Sequence, residues 1–218
     1  VGHSGEHASE ALVINCVQTL HRVPPSQRHA LLCTLHNLNP KIITLVEDDV
    51  ELGAALTARS LEDSFSEALR FYSLFFDSLD YCMPKTSSER LALERAASRS
   101  ILHIVACADR VPESSQHEIR EKSSQWNERM YEAGFVAKGF SEDVFDDVKA
   151  LLKRYKEGSW GYMVNGGATT VTDVLTEVHD HEAQQDHRHQ HQQQRHHGFT
   201  LTWKDQAIIY ASAWMPFP

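Results

Sequence analysis

The chain has 218 residues, of which 21 are Lys or Arg and 30 are Asp or Glu, so its formal net charge is −9. Hydrophobic residues make up 41% and charged residues 23% of the sequence, a composition typical of a globular domain. An acidic chain repels phosphate backbones on average, and no apolar run is as long as a membrane span. The composition therefore favours neither nucleic acid nor membrane as a direct partner.

The four cysteines are far apart in the sequence and form no CxxC pair; they are Cys16, Cys33, Cys82 and Cys107. Such spacing is typical of reduced thiols in an intracellular protein, and it does not favour a zinc site.

The first fifth of the chain predicts a strand–helix–strand unit. Residues 11–17 are apolar and rich in β-branched side chains, which predicts a buried strand. Ser26 is a candidate N-cap for a leucine-rich helix, and Asn39-Pro40 ends that helix. Residues 41–46 predict a second buried strand. A strand, a helix and a strand with short joints are typical of a parallel sheet.

The middle of the chain predicts helices. Apolar residues recur at helical spacing over 61–79, and Thr86 with Glu89 forms a candidate capping box for the next helix. The first of these helices carries an aromatic stripe, which has two interpretations: a core face, or part of a groove for a partner. The stripe consists of Phe65, Tyr72, Phe75 and Phe76.

Two further helices are predicted before the sequence returns to strands. One contains Trp126 and ends near Gly134. The other is capped by Ser141, with Phe140 and Phe145 spaced as a hydrophobic staple.

The last part of the chain predicts three strands and one insertion. The strands are at 160–164, 199–203 and 207–211, and the last two form an antiparallel hairpin. Between the strands at 160–164 and 199–203, residues 179–197 consist mostly of His, Gln, Asp and Arg. We expect a solvated, disordered loop insertion here, with a metal-binding tract as the alternative.

A search for catalytic motifs leaves one candidate site. The sequence has no glycine-rich phosphate loop, no GxSxG elbow and no HExxH pair. Glu47-Asp48-Asp49 directly follows a predicted strand, at the end of a sheet where ligands bind in α/β folds. Three acids there could bind a metal or act as a general base. The competing and favoured interpretation is a solvated loop at the end of the strand.

An ordered set of motifs resembles the GRAS family of plant transcriptional regulators. The set comprises PFYRE-like residues, a tryptophan and a glycine separated by seven residues, an LxW motif and a closing SAW motif. In this sequence they are Pro40, Phe71, Tyr72, Arg90, Glu94, Trp126, Gly134, Leu201, Trp203, Ser212, Ala213 and Trp214. Segments 89–101 and 139–155 are similar to the SHORT-ROOT-like branch of the family.

The resemblance implies an α/β fold with a methyltransferase-like (Rossmann-type), mostly parallel sheet, flanking helices and a C-terminal antiparallel hairpin. It covers residues 1–218 as the C-terminal part of a single GRAS domain. Such a part alone would expose a sheet edge, so we expect poor stability or pairing with another copy.

The resemblance also implies nuclear transcriptional regulation in plant development, with the cytoplasm as a second location and with no enzymatic step, cofactor or metal. The implied partners are a SCARECROW-type GRAS protein and INDETERMINATE-domain zinc-finger factors, which would contact DNA. The motif residues would either contact these partners or hold the fold.

Two other functions stay open on the sequence alone. One is a methyltransferase-like enzyme or small-molecule-binding protein that uses Glu47, Asp48 and Asp49. The other is direct DNA binding through the basic residues at the end of a helix, which are Lys149, Lys153, Arg154 and Lys156.

Overall fold

The structure, a computed structural model, describes residues 10–52, 61–106, 119–155, 159–164, 167–169 and 198–217. The His/Gln-rich tract at 179–197, together with Cys107 and Lys156, lies outside these ranges.

The described residues contain strands and helices in the order that the sequence predicts, with two additional strands. In chain order they are β1 (Val13–Val17), a 3₁₀ helix (Leu20–Arg22), α1 (Pro25–Asn37), β2 (Ile42–Asp48), α2 (Leu61–Cys82), α3 (Ser88–Ala106), α4 (Ser123–Glu132), β3 (Phe135–Lys138), α5 (Glu142–Leu152), β4 (Trp160–Val164), β5 (Gly167–Thr169), β6 (Phe199–Trp203) and β7 (Gln206–Pro216).

The strands form one mixed sheet in the order β1-β2-β7-β6-β4-β5, and β3 pairs with β7 as well. The α/β class, the flanking helices and the C-terminal hairpin are confirmed. Only β1 and β2 are parallel among the described strands; the other pairings are antiparallel. The expected majority of parallel pairings is not seen in the described residues. The reason is that β7 runs antiparallel to β2, and the strands beyond β7 (β6, β4 and β5) also pair antiparallel with their neighbours.

The β6–β7 hairpin follows from its two turn residues. Lys204 and Asp205 have φ of 50° and 61°, between the paired residues Trp203 and Gln206. Positive φ at both central residues is the property of the turn that matches the twist of two antiparallel strands. β7 continues to Pro216, beyond the predicted end at Ala211.

Three apolar clusters hold the layers together. In the first, α1 and α4 cover one face of the central strands, with Trp126, Met130 and Trp214 at its centre. In the second, α2 and α3 enclose Trp203 and Ile208. In the third, the inner face of α5 covers β4 and β6, where Leu152, Tyr162 and Phe199 are buried.

Two helix starts differ from the prediction. α1 begins at Pro25 rather than after Ser26, because proline suits the first helical position, where no N–H partner is needed. α3 is capped by Ser87 rather than Thr86: the Ser87 Oγ accepts a hydrogen bond of 3.2 Å from the Arg90 backbone N–H. At α5, Phe140 and Phe145 make the predicted staple contact, with ring centroids 6.3 Å apart.

The core-face interpretation of the aromatic stripe of α2 is confirmed for three of its four residues. Tyr72 is buried, Phe75 and Phe76 are partly buried against the second cluster, and Phe65 is 51% exposed. None of the helices in the described residues is long and apolar enough to cross a membrane.

Candidate functional site

The acidic end of β2 is the candidate site from the sequence, and Glu47 is its most buried member. Strand alternation places Glu47 on the same covered face as Ile43 and Leu45, and it is 1% exposed. Its Oε1 accepts hydrogen bonds from the backbone N–H groups of Thr19 (2.9 Å) and Leu20 (2.7 Å). Glu47 therefore satisfies the N–H groups at the start of the 3₁₀ helix.

The second oxygen of Glu47 has its own partner. The Nδ1 of buried His21 lies 2.7 Å from Glu47 Oε2, so Nδ1 carries the hydrogen that the carboxylate accepts. Both oxygens of Glu47 are thus engaged by the segment that follows β1. Burial is the main cause that raises the pKa of the Cys16 thiol, and the nearby charge of Glu47 adds to the rise.

Asp48 and Asp49 are also bonded to distant parts of the chain. Asp48 accepts from Gln18 Nε2 at 2.9 Å and from Arg120 Nε at 2.8 Å. Asp49 accepts from the Ser123 backbone N–H at 2.9 Å and from the Thr200 hydroxyl at 3.3 Å. The expectation of a solvated loop is therefore wrong: the three acids tie β2 to the segment after β1, to the start of α4 and to β6.

A buried ionic network lies beside this acidic cluster. Arg28 is 1% exposed and donates hydrogen bonds to the backbone carbonyls of His21 and Val23. Its Nη1 lies 2.9 Å from Glu121 Oε1, an ion pair without the alignment of a good hydrogen bond. Burial lowers the pKa of Arg28, and Glu121 opposes that shift.

Glu121 is shared between two arginines. Arg129 donates to both Glu121 oxygens, at 2.6 and 2.7 Å, and this hydrogen bonding raises the pKa of Arg129. The network therefore adds paired charges between the start of α1 and the α4 region to the apolar packing of these helices in the first cluster. Within the described residues, no group of three His, Cys, Asp or Glu side chains is arranged to hold a metal ion.

Arg90 joins the end of α2 to the start of α3. Its guanidinium donates to Glu94 Oε1 at 2.7 Å and to Asp80 Oδ1 at 2.5 Å. It also donates to the backbone carbonyls of Leu79 and Met83. The carbonyls at a helix C-terminus lack partners within the helix, so Arg90 satisfies the end of α2.

The end of α2 is attached to the hairpin by aromatic rings. Trp203 Nε1 donates to Asp77 Oδ2, and the Tyr81 ring lies 5.3 Å from the Trp203 ring. Trp160 is 5.1 Å from Trp203 and donates to Cys82 Sγ at 3.3 Å. Lys204 also pairs with Asp77, at 2.7 Å.

The residues near the C-terminus are in the centre of the sheet. Trp214 is 0% exposed, and its Nε1 donates to Ser212 Oγ at 2.8 Å.

Gly134 precedes β3 with φ of +88°, and a Cβ there would lie 3.1 Å from His36 Nε2. The backbone angle favours glycine at this position, and the His36 ring would have to shift to accept a Cβ.

The sequence model of the GRAS domain family matches residues 5–215. The chain belongs to the GRAS domain family.

Its relatives within the family include SHORT-ROOT proteins. The chain is 40% identical over 217 residues to Protein SHORT-ROOT 2 of Oryza sativa, covering 96% of this chain and 32% of that protein. It is 36% identical over 213 residues to Protein SHORT-ROOT of Arabidopsis thaliana, covering 95% and 34%. The chain thus spans about a third of the length of these curated relatives.

The fold is similar to that of a solved GRAS protein. The crystal structure of SCL7 from Oryza sativa has a TM-score of 0.65 to this chain at 22% identity, covering 95% of this chain and 49% of that one. The resemblance inferred from the PFYRE-like and SAW residues is confirmed, and so is the fold.

Most of the GRAS motif residues fall into two groups that β7 connects. Pro40, Trp126, Gly134, Ser212, Ala213 and Trp214 surround the first apolar cluster, next to β2. Phe71, Tyr72, Arg90, Glu94 and Trp203 lie at or near the second cluster and the end of α2. Leu201, on β6, packs against the third cluster.

Sequence reasoning missed the residues that complete the acidic cluster. His21, Arg28, Glu121 and Arg129 are brought together by the fold from separate segments, and none belongs to a spaced motif. The sequence carried one signal: an Arg and a Glu at positions that face an apolar surface are almost never buried unless they pair with an opposite charge, so such positions predict an ion pair.

Proposed function

We propose that this protein is a non-enzymatic transcriptional regulator of the nucleus that acts as an interaction scaffold in plant development. Its partners would be a SCARECROW-type GRAS protein and INDETERMINATE-domain zinc-finger factors, with the zinc fingers supplying contact to DNA. The name of one relative supports the regulatory role: the chain is 31% identical over 162 residues to Scarecrow-like transcription factor PAT1 of Arabidopsis thaliana.

One observation carries the non-enzymatic part of the proposal. Glu47, Asp48 and Asp49 are the acids that an enzyme with this fold would use at the end of β2. Each of them is bonded on both carboxylate oxygens to its own chain. A carboxylate whose acceptor sites are used by backbone N–H groups and an arginine is poorly suited to take a proton from a substrate.

The surface charge supports a basic protein partner. The net charge is −9, and the first turns of α5 expose four acids: Glu142, Asp143, Asp146 and Asp147. A zinc-finger segment is basic because it binds phosphates, so opposite charge would speed its encounter with this chain.

Direct DNA binding receives less support from the same helix. Lys149 pairs with Asp146 at 3.1 Å, and the exposed acids Asp146 and Asp147 lie about two turns before Lys153 and Arg154. A phosphate backbone approaching these basic residues would meet negative charge as well.

The test is a titration of a purified INDETERMINATE-type zinc-finger segment into the complete GRAS domain, without DNA, at several salt concentrations. We expect saturable binding that weakens with salt. The matched variant is Lys153→Ala with Arg154→Ala, and we expect it to bind the zinc fingers unchanged.

A separate titration with duplex DNA tests the other reading. If the domain alone binds DNA, and Lys153→Ala with Arg154→Ala weakens that binding, direct DNA recognition replaces the scaffold proposal. If the folded domain binds neither the zinc-finger segment nor duplex DNA, zinc-finger factors are excluded as its partners.

A further inference from the structure

Helix α1 places an imidazole and a thiol side by side near the protein surface. His29 is exposed and Cys33 is half-buried. The two residues are four apart in α1, so they lie on one side of the helix, one turn from each other. His29 Nε2 is 3.5 Å from Cys33 Sγ, and Cys33 is not in a disulfide. The spacing of the cysteines alone does not reveal this pair, because its second member is a histidine.

The distance between the two side chains fits a shared metal ion. In a tetrahedral zinc site the Zn–S bond is about 2.3 Å and the Zn–N bond about 2.0–2.1 Å, which places the two ligand atoms about 3.5 Å apart. The distance between Cys33 Sγ and His29 Nε2 already has this value. An ion bound by both atoms would therefore require little movement of either side chain.

Packing holds the thiol in place and leaves the imidazole accessible. Cys33 packs against the first apolar cluster, so its neighbours restrict its side chain. His29 is exposed, so its ring can meet an ion that arrives from solvent. Binding to a ligand that is already fixed costs less conformational entropy than binding to two mobile side chains.

Helix α1 supplies two ligands to this position rather than three. His36 is the next metal-ligating side chain along α1, but its Nε2 is buried and lies 3.1 Å from the position of a Cβ on Gly134. His36 is therefore directed at the Gly134 backbone. A two-ligand site is consistent with the lack of any three-residue ligand group in the described part of the chain.

We propose that His29 and Cys33 form a surface site for a borderline-soft transition-metal ion such as Zn²⁺, with water in the other coordination positions. Thiolate sulfur and imidazole nitrogen suit such ions, whereas Ca²⁺ and Mg²⁺ select oxygen ligands. The thiol proton is released to solvent when the ion binds. A net charge of −9 also favours binding of a cation. The inference goes beyond the proposed function and does not rest on it.

The test is a titration of the reduced full-length protein with Co²⁺, which occupies zinc sites and gives a near-ultraviolet absorption band when a thiolate binds it. We expect a saturable band that excess Zn²⁺ removes. Residues 179–197 contain no cysteine, so cobalt bound to their histidines does not produce this band.

Two substitutions assign the ligands. Cys33→Ser should abolish the band. His29→Gln should weaken Co²⁺ binding by about tenfold or more, because loss of a residue that only supports a ligand already costs about 10–100-fold in metal affinity.

The matched control is Cys82→Ser, which removes another half-buried free thiol outside α1. It should give the same band as the wild type, and circular dichroism should show that every variant is folded. A folded wild type without the band overturns the proposal. A band that persists in Cys33→Ser assigns the ion to another thiol, and an affinity that His29→Gln leaves unchanged makes the thiol a lone ligand; either result also overturns it.

Discussion

Buried polar side chains in this GRAS chain satisfy backbone groups of neighbouring segments. Glu47 closes the start of the 3₁₀ helix, and Arg28 binds carbonyls of the segment that follows it. Leaving such groups unpaired in a buried site costs about 1–3 kcal/mol each. The fold therefore depends on these charges at positions where an enzyme of similar architecture would place its chemistry.

Tyr210 makes the unfolding free energy of the domain fall at high pH. Its hydroxyl donates to Asn127 Oδ1 at 2.7 Å, and burial raises the pKa of Tyr210 to about 12. The folded state thus holds the proton more tightly than the unfolded state, whose tyrosine has a pKa of about 10. This stabilisation is present below pH of about 10 and is lost as the pH rises towards about 12.

Tyr210→Phe should remove that dependence. Between pH of about 9 and about 11.5, the unfolding free energy of the wild type should fall by about 2 kcal/mol more than that of Tyr210→Phe. Urea unfolding at the two pH values measures the difference. Parallel losses in the two proteins would show that Tyr210 is not the group responsible.

At the scale of elements, Arg90 is the joint between α2 and α3. Arg90→Ala removes its contacts with Asp80, Glu94 and two carbonyls, so it should lower the unfolding free energy more than removal of an exposed arginine does. Hydrogen exchange should quicken first in the last turn of α2. Arg95→Ala is the matched control, since Arg95 is exposed on the same helix. Equal effects from the two variants would contradict a joint at Arg90.

The strand β7 connects the two groups of motif residues, and Trp214 is its most enclosed side chain. Trp214→Ala should lower the unfolding free energy by about 3–5 kcal/mol, because a buried ring leaves a cavity. Phe217→Ala, at a position 66% exposed, should have little effect. Denaturant unfolding gives both values. A Trp214→Ala protein that melts as the wild type does but loses one partner would make Trp214 a contact residue instead.

Elements with a strong local pattern could be predicted, and elements formed by pairing could not. β1, β2, β6 and β7 are apolar runs bounded by turn residues. β3 is four residues long, and it is a strand because it pairs with β7 from Phe135↔Pro216 to Lys138↔Ala213. No periodicity in so short a segment distinguishes a strand from a loop.

The candidate site was located from the sequence, but its role was not. Three acids after a strand identify the end of β2 in an α/β sheet. Two of these acids are hydrogen-bonded to Arg120, Ser123 and Thr200, which lie about 70 to 150 residues further along the chain. Only the folded structure shows that these residues are neighbours. The motif resemblance identified the family because it uses residue identities rather than geometry.

At the scale of the whole molecule, β1 is an edge strand of the sheet in the described part of the chain. Within the described residues no strand pairs with its outer side, and Val13 and Val17 are 58% and 49% exposed. Natural edge strands carry lysine, proline or a bulge that prevents association, and β1 has none of these. The expectation of poor stability or pairing with another copy stays a prediction, and β1 is the place where it should act.

Val13→Lys with Val17→Lys tests this edge in the isolated 218-residue chain. The two lysines should reduce light scattering at high protein concentration without lowering the unfolding free energy, because both side chains are already in water. Association through β1 is apolar and should persist at high salt. If the lysine variant scatters light as strongly as the wild type, the aggregating surface is not β1 and the exposed faces of α2 and α3 become the next positions to substitute.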